Sequence, residues 1–185
     1  MAGGGYTGAA MAQDMKAAGD RDGAAFWRFS LALYAVPAVS AALLELQDRA
    51  GRDVNLVLYA LWLGAVRACR LDCAALAAVA AEIEPIAAVV AELRGQRRRL
   101  RQAEDPLLQG LRRRFAALEL AGERCVHDRL AASRPVIAAA DNRLAIASAN
   151  LALYLGADAT SPEAAVLRGA LARLMRRDYR LRSMG

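Results

Sequence analysis

The chain has 185 residues, enough for one domain whose core buries about two-thirds of the unfolded surface, so folding needs neither a metal nor a disulfide. The apolar fraction is 57%, much of it Ala, and the formal net charge of +6 comes almost wholly from Arg, with Lys16 the only Lys. Ala, Leu and Arg are strong helix formers and no alternating strand pattern occurs, which excludes sheet and barrel classes and predicts an all-α, single-domain bundle of about seven helices.

Residues 1–21 are rich in Gly and small side chains and predict a flexible tail ahead of a helical domain over 22–183. They have neither the basic start nor the apolar core of a secretory signal. Phe26, Phe29 and Leu33, flanked by Trp27 and Tyr34, give the first helical stripe. Pro37 opens a second helix with Val39, Leu43 and Leu46 on one side, and Gly51 closes it as a left-handed cap. Asp53 then caps "VNLVLYALWLGAV", thirteen residues without a charge from Val54 to Val66. A membrane span needs about twenty. A helix apolar all round is otherwise buried all round, so the segment near 53–67 is expected to be the central helix of the bundle, and no span is expected anywhere.

Asp72 is placed to cap a short Ala-rich helix to about Ala81, and Pro85 to start a longer one. In that helix Ile86, Val90, Leu93 and Leu100 point inward, while Arg94, Arg98 and Arg101 form an outer stripe flanked by Arg97 and Arg99. Asp105-Pro106 begins the next helix, with Leu108, Leu111, Phe115, Leu118 and Val126 inward. Ser133 and Pro135 break the chain before a helix that ends near Gly156. Ser161, Pro162 and Glu163 have the order of cap, first-turn proline and favourable charge for a last helix with Leu167, Leu171 and Leu174 inside.

"FWRFSLALY", "LQD", "GRDVNL" and "WL" in the first half, then "VVAELRGQRRRL" and "ALELAGERCVHDRL", resemble a bacterial family of small uncharacterised all-helical proteins, a domain of unknown function. The resemblance spans roughly residues 24 to 131. It implies a bacterial protein and carries no activity, cofactor or catalytic residue.

The strongest charge signal is the Arg cluster of Arg94, Arg97, Arg98, Arg101, Arg112 and Arg113. An Arg-for-Lys bias also follows from a GC-rich genome. Read functionally, the cluster predicts a non-enzymatic interaction protein presenting an Arg face to an acidic protein, nucleic acid or anionic surface. No aromatic residue is interleaved with it and no helix-turn-helix pattern occurs, so nucleic acid would be held through phosphates without base choice.

The alternative reading is an enzyme or small-ligand protein with a pocket beside the central helix. Its wall would be drawn from Trp27, Tyr34, Asp53, Asn55, Tyr59 and Trp62, with Glu119 and Glu123 as polar groups. Glu119 falls near the apolar arc of its helix and is expected to be buried and paired, with Asn55, Asp53, Arg28 or Arg67 as neighbours. Glu119, Glu123 and His127 step by four along one side. The chain has one His, however, and Cys125 and His127 point about 200° apart on their helix, so neither a metal nor a cofactor is expected. Cys69, Cys73 and Cys125 read as reduced thiols of a cytoplasmic protein. A phosphate-binding loop, a nucleophile elbow and a Cys-x-x-Cys pair are all missing, so no catalytic residue is assigned. Oligomerisation stays open.

Overall fold

The computed structural model describes residues 22–133 and 142–183, with side chains to 177. The Gly-rich tail of residues 1–21 and the break at Pro135 lie outside the described residues. Among the described residues seven α-helices follow one another: α1 Asp22–Tyr34, α2 Pro37–Ala50, α3 Val54–Ala65, α4 Cys73–Arg99, α5 Pro106–Ala132, α6 Arg143–Leu155 and α7 Pro162–Ser183, with a 3-10 turn Gly156–Thr160 before the last. No strand occurs among the described residues.

The capping chemistry accounts for most boundaries. Pro37, Pro106 and Pro162 each occupy the first turn of a helix, where their missing N–H has no partner to lose. Asp53 Oδ1 accepts from Asn55 N at 2.7 Å, Asp72 Oδ1 from Ala75 N at 2.7 Å, and Asp105 Oδ1 from Leu107 N at 2.8 Å. Ser161 Oγ accepts from Ala164 N, and Gly51 closes α2 at φ 62°.

All twelve residues of α3 are buried, as its uncharged run requires. It packs against α2, α5 and α6. The approach to α6 is so close that a Cβ on Gly64 would fall 2.3 Å from Ala147 Cα, which makes glycine obligatory there. Val39, Leu43 and Leu46 of α2 face Ala164, Leu167 and Leu171 of α7. Phe26 of α1 lies against Trp62 and Tyr59 of α3, with ring centroids 5.1 and 6.0 Å away. Burying a side chain of this size contributes roughly 1.5–3 kcal/mol, so the central helix carries much of the fold.

Two polar clasps fix the corners. Arg52 donates to Asp158 and to the carbonyls of Leu155 and Tyr154, tying the α2–α3 corner to the end of α6. Asn150, fully buried on α6, donates to the carbonyls of Ala60 and Cys69 and accepts from Leu71 N, so it holds the α3–α4 connection against two helices.

Two expectations are corrected. Pro85 does not start a helix: α4 runs unbroken through it for 27 residues. Pro85 and Ala81 both face water, so the Ala81 carbonyl that loses its helical donor finds solvent instead. Once the two pieces join, α4 is long and apolar enough to cross a membrane by length and composition alone, but exposed Glu82, Glu84 and Glu92 interrupt its alanines. Leu108, Leu111 and Leu118 of α5 do not point inward but stand 41%, 41% and 54% exposed, because α5 turns Glu119, Val126, His127 and Leu130 to the bundle.

Candidate functional site

α4 and α5 pack as a long antiparallel hairpin beside α1–α3, and the wall between them carries charge. Glu119 is only 7% exposed. Arg94 Nε donates to its Oε1 at 2.9 Å, and Arg97 donates to Oε2 from Nε and to Oε1 from Nη2. Arg94 Nη2 also donates to Glu123 Oε1 at 2.9 Å. Burial pushes the Glu119 carboxyl up, but the hydrogen bonds and charges of Arg97 and Arg94 outweigh it and hold the group below the usual carboxylate range. Glu123, one turn on, is raised: burial dominates, and Arg94 only partly offsets it.

One turn further lies His127, 2% exposed, stacked on Phe26 with centroids 4.2 Å apart and edged by Trp27. Its Nε2 is 3.1 Å from Asn55 Oδ1 on the first turn of α3. With that oxygen as acceptor, Nε2 carries the proton and Nδ1 the lone pair, and Nδ1 has no partner among the described residues. Burial, reinforced by Arg124, lowers the His127 pKa to about 4, so the ring is neutral at pH 7.

Above this row opens a cleft of about 330 Å³, bounded by α1, α2, α3 and the α4–α5 hairpin. Trp27, Tyr34, Leu31 and Leu44 form its apolar side, Asn55 and Leu58 its floor, and Arg94, Glu119, Glu123 and Leu120 its far wall. A shallower groove lined by Arg112, Arg113 and Ala116 shares Arg97, Glu119, Leu120 and Glu123 with the cleft.

Of the residues read from the sequence as a pocket, Trp27, Tyr34, Asn55, Glu119 and Glu123 meet here. Asp53 opens instead onto a neighbouring depression beside Arg52 and Val90. Tyr59 and Trp62 do not reach the cleft: at 0% and 2% exposure they are core. The partners expected for Glu119 are also corrected. Asn55 pairs with His127, and Arg67 pairs with Asp22 across 2.9 Å, so the guanidiniums come from α4. The sequence reading missed Ser30, Arg97 as a cleft residue, and His127 as its floor. The His127–Asn55 contact spans 72 residues of chain, which no local pattern reveals.

The Arg strip divides. Arg94 and Arg97 turn inward and are spent on Glu119 and Glu123, so they are not part of an open face. Arg98 makes an exposed pair with Asp48. Arg101, Arg112 and Arg113 are exposed and make no ion pair among the described residues. No cluster of His, Cys, Asp and Glu suited to a metal occurs among the described residues. Chemically, the row offers a carboxyl of raised pKa in Glu123 and a neutral imidazole in His127, with no cysteine beside them: Cys69 is buried and donates to Arg67 O, while Cys73 and Cys125 are surface thiols.

The family described as "Protein of unknown function (DUF2390)" matches residues 25–130, more than half of the chain and nearly the stretch that carries the resemblance read from the residues. The chain belongs to that family. No curated protein and no solved structure matches it.

Proposed function

We propose that this member of a family silent on activity is a small-molecule-binding protein, and that its ligand is an amphiphile with an uncharged polar head seated in the cleft above Glu119. The observation that carries the reading is a convergence. Leu31, Tyr34, Leu44 and Leu120 are among the large apolar side chains left exposed in this protein, and all four border one cavity. Apolar walls around a few fixed polar groups are the usual constitution of a small-ligand site.

Charge balance selects the head group. Arg94 and Arg97 are matched by Glu119 and Glu123, and Arg98 at the rim is engaged by Asp48. A carboxylate or phosphate would compete with Glu119 and Glu123 for those guanidiniums and add negative charge to a wall whose charges are already paired. A hydroxyl or amide meets groups with capacity to spare: the Tyr34 hydroxyl, the second oxygen of Glu123, and Ser30 Oγ, which has no partner among the described residues.

Trp27 lines the cleft, which supplies the reporter. Straight-chain alcohols of eight to twelve carbons should change Trp fluorescence and raise the melting temperature, and the matching carboxylates should do neither at pH 7. Leu120→Trp, at an exposed position over the cleft, should abolish the response and leave the fold intact. Alcohols that produce no response, or a response unchanged in the Leu120→Trp variant, would rule the site out.

A further inference from the structure

At the far end of the hairpin from the α3–α4 connection, the chain turns between Arg99 and Pro106. The turn is held by Asp105 capping α5 and by Gln109 Nε2 donating to the carbonyls of Ala103 and Glu104. Its outermost apolar residue, Leu107, is 82% exposed, more than any other large apolar side chain described. Leu108 and Leu111 stand beside it, each 41% exposed. Around them are Arg99, Arg101, Arg112, Arg113 and Arg114, all exposed and without an ion pair among the described residues, against Glu104 and Asp105. Basic charge alone would suit any polyanion. Three leucines displayed at the end of the turn suit a partner with an apolar layer beneath its charge better than a polyanion without one, and Phe115, the aromatic residue on that part of α5, is partly buried.

We infer that the α4–α5 tip docks on an anionic lipid surface, with Leu107, Leu108 and Leu111 entering the headgroup–acyl boundary and the arginines contacting acidic headgroups. The depth is set by the fold. The leucines fall within the first two turns of α5, and exposed Arg112, Arg113 and Arg114 directly after them hold the rest of the hairpin at headgroup level. The inference stands whether or not the cleft binds a ligand.

The test is co-sedimentation of the full chain with vesicles of phosphatidylcholine alone and of phosphatidylcholine with one-third phosphatidylglycerol, at two salt concentrations, beside a heparin titration. Two triple variants separate the contributions: Leu107→Gln/Leu108→Gln/Leu111→Gln keeps every charge, and Arg101→Gln/Arg112→Gln/Arg113→Gln keeps every leucine. Binding to anionic vesicles is expected, with little to neutral ones. Each arginine near an anionic leaflet contributes about fivefold, so the Arg variant should lose about a hundredfold. The Leu variant should lose more than about tenfold. Both should melt as the parent does, since the replaced side chains face water. Failure to bind anionic vesicles at low salt would overturn the inference. So would a Leu variant that binds vesicles as the parent does, which would identify the tip as a general polyanion surface for acidic protein or nucleic acid.

Discussion

Replacing Glu119 tests the centre of the site. Glu119→Ala removes the acceptor of three Arg hydrogen bonds in a wall where the carboxylate side chain is 10% exposed, Arg94 19% and Arg97 31%. Breaking a buried charge pair from one side costs about 3–5 kcal/mol. Two features reduce that here. Arg94 keeps Glu123, and Arg97 is exposed enough to regain water. The expected loss is about 2–4 kcal/mol, or roughly 5–15 °C in Tm for a chain of this length. Glu119→Gln keeps the shape and one acceptor oxygen, so it should lose about 1–3 kcal/mol less than the Ala variant. Urea unfolding at pH 7 compares the three proteins. The pH dependence adds a second check. Because the folded-state pKa of Glu119 is depressed, its contribution is full above the ordinary carboxylate pKa and fades as pH falls through the folded value. The gap between wild type and Glu119→Gln should therefore close below about pH 4. Equal stability of the Ala and Gln variants at pH 7, or a gap that does not change in acid, would refute the pairing argument.

His127 is the only His in the chain, so its imidazole resonances are unambiguous; they should titrate near 4, and not near the ordinary 6.5, by NMR. A depressed His pKa contributes stability that is full above the unfolded value and lost on acidification, so about 2 kcal/mol should disappear between pH 7 and pH 5, and a His127→Gln variant should not show that loss in its urea midpoint. Gly64→Ala should destabilise by about 1–3 kcal/mol or more in thermal melts, since its methyl meets the Ala147 backbone and neither helix has a flexible end to yield there. Trp62→Ala should cost roughly 3–5 kcal/mol by the same measurement, and a melt like wild type would contradict the burial of α3.

What could be read in advance divides along a physical line. The central helix was legible because a charge-free run capped by Asp53 has few alternatives to burial. The burial of Glu119 was legible from its place on an apolar arc. The identity of its partners was not, since Arg94 is 25 residues away and its direction depends on the course of α4. That course was misread at Pro85, where one proline has the same local look whether it opens a helix or sits on the wet side of a longer one. Taking Leu108, Leu111 and Leu118 as core had the same root. Helical spacing identifies an apolar stripe, but which stripe meets the bundle depends on the tertiary placement of Glu119 and His127. Tyr59 and Trp62 were placed in the pocket wall, when Phe26 of α1 packs over both rings and holds them in the interior.

Asn150 hydrogen-bonds no residue lining the cleft, yet it anchors the chain from which one wall of the cleft departs. The α4–α5 hairpin joins the bundle through the chain between α3 and α4, and Asn150 grips that chain at the carbonyl of Cys69 and the amide of Leu71 while holding Ala60 with the same amide. The hairpin is thus moored twice, at its root by one buried amide and further along by His127 against Phe26 and Asn55. The mooring at the root comes from a residue on α6, which lies beyond residues 25–130 of the family match.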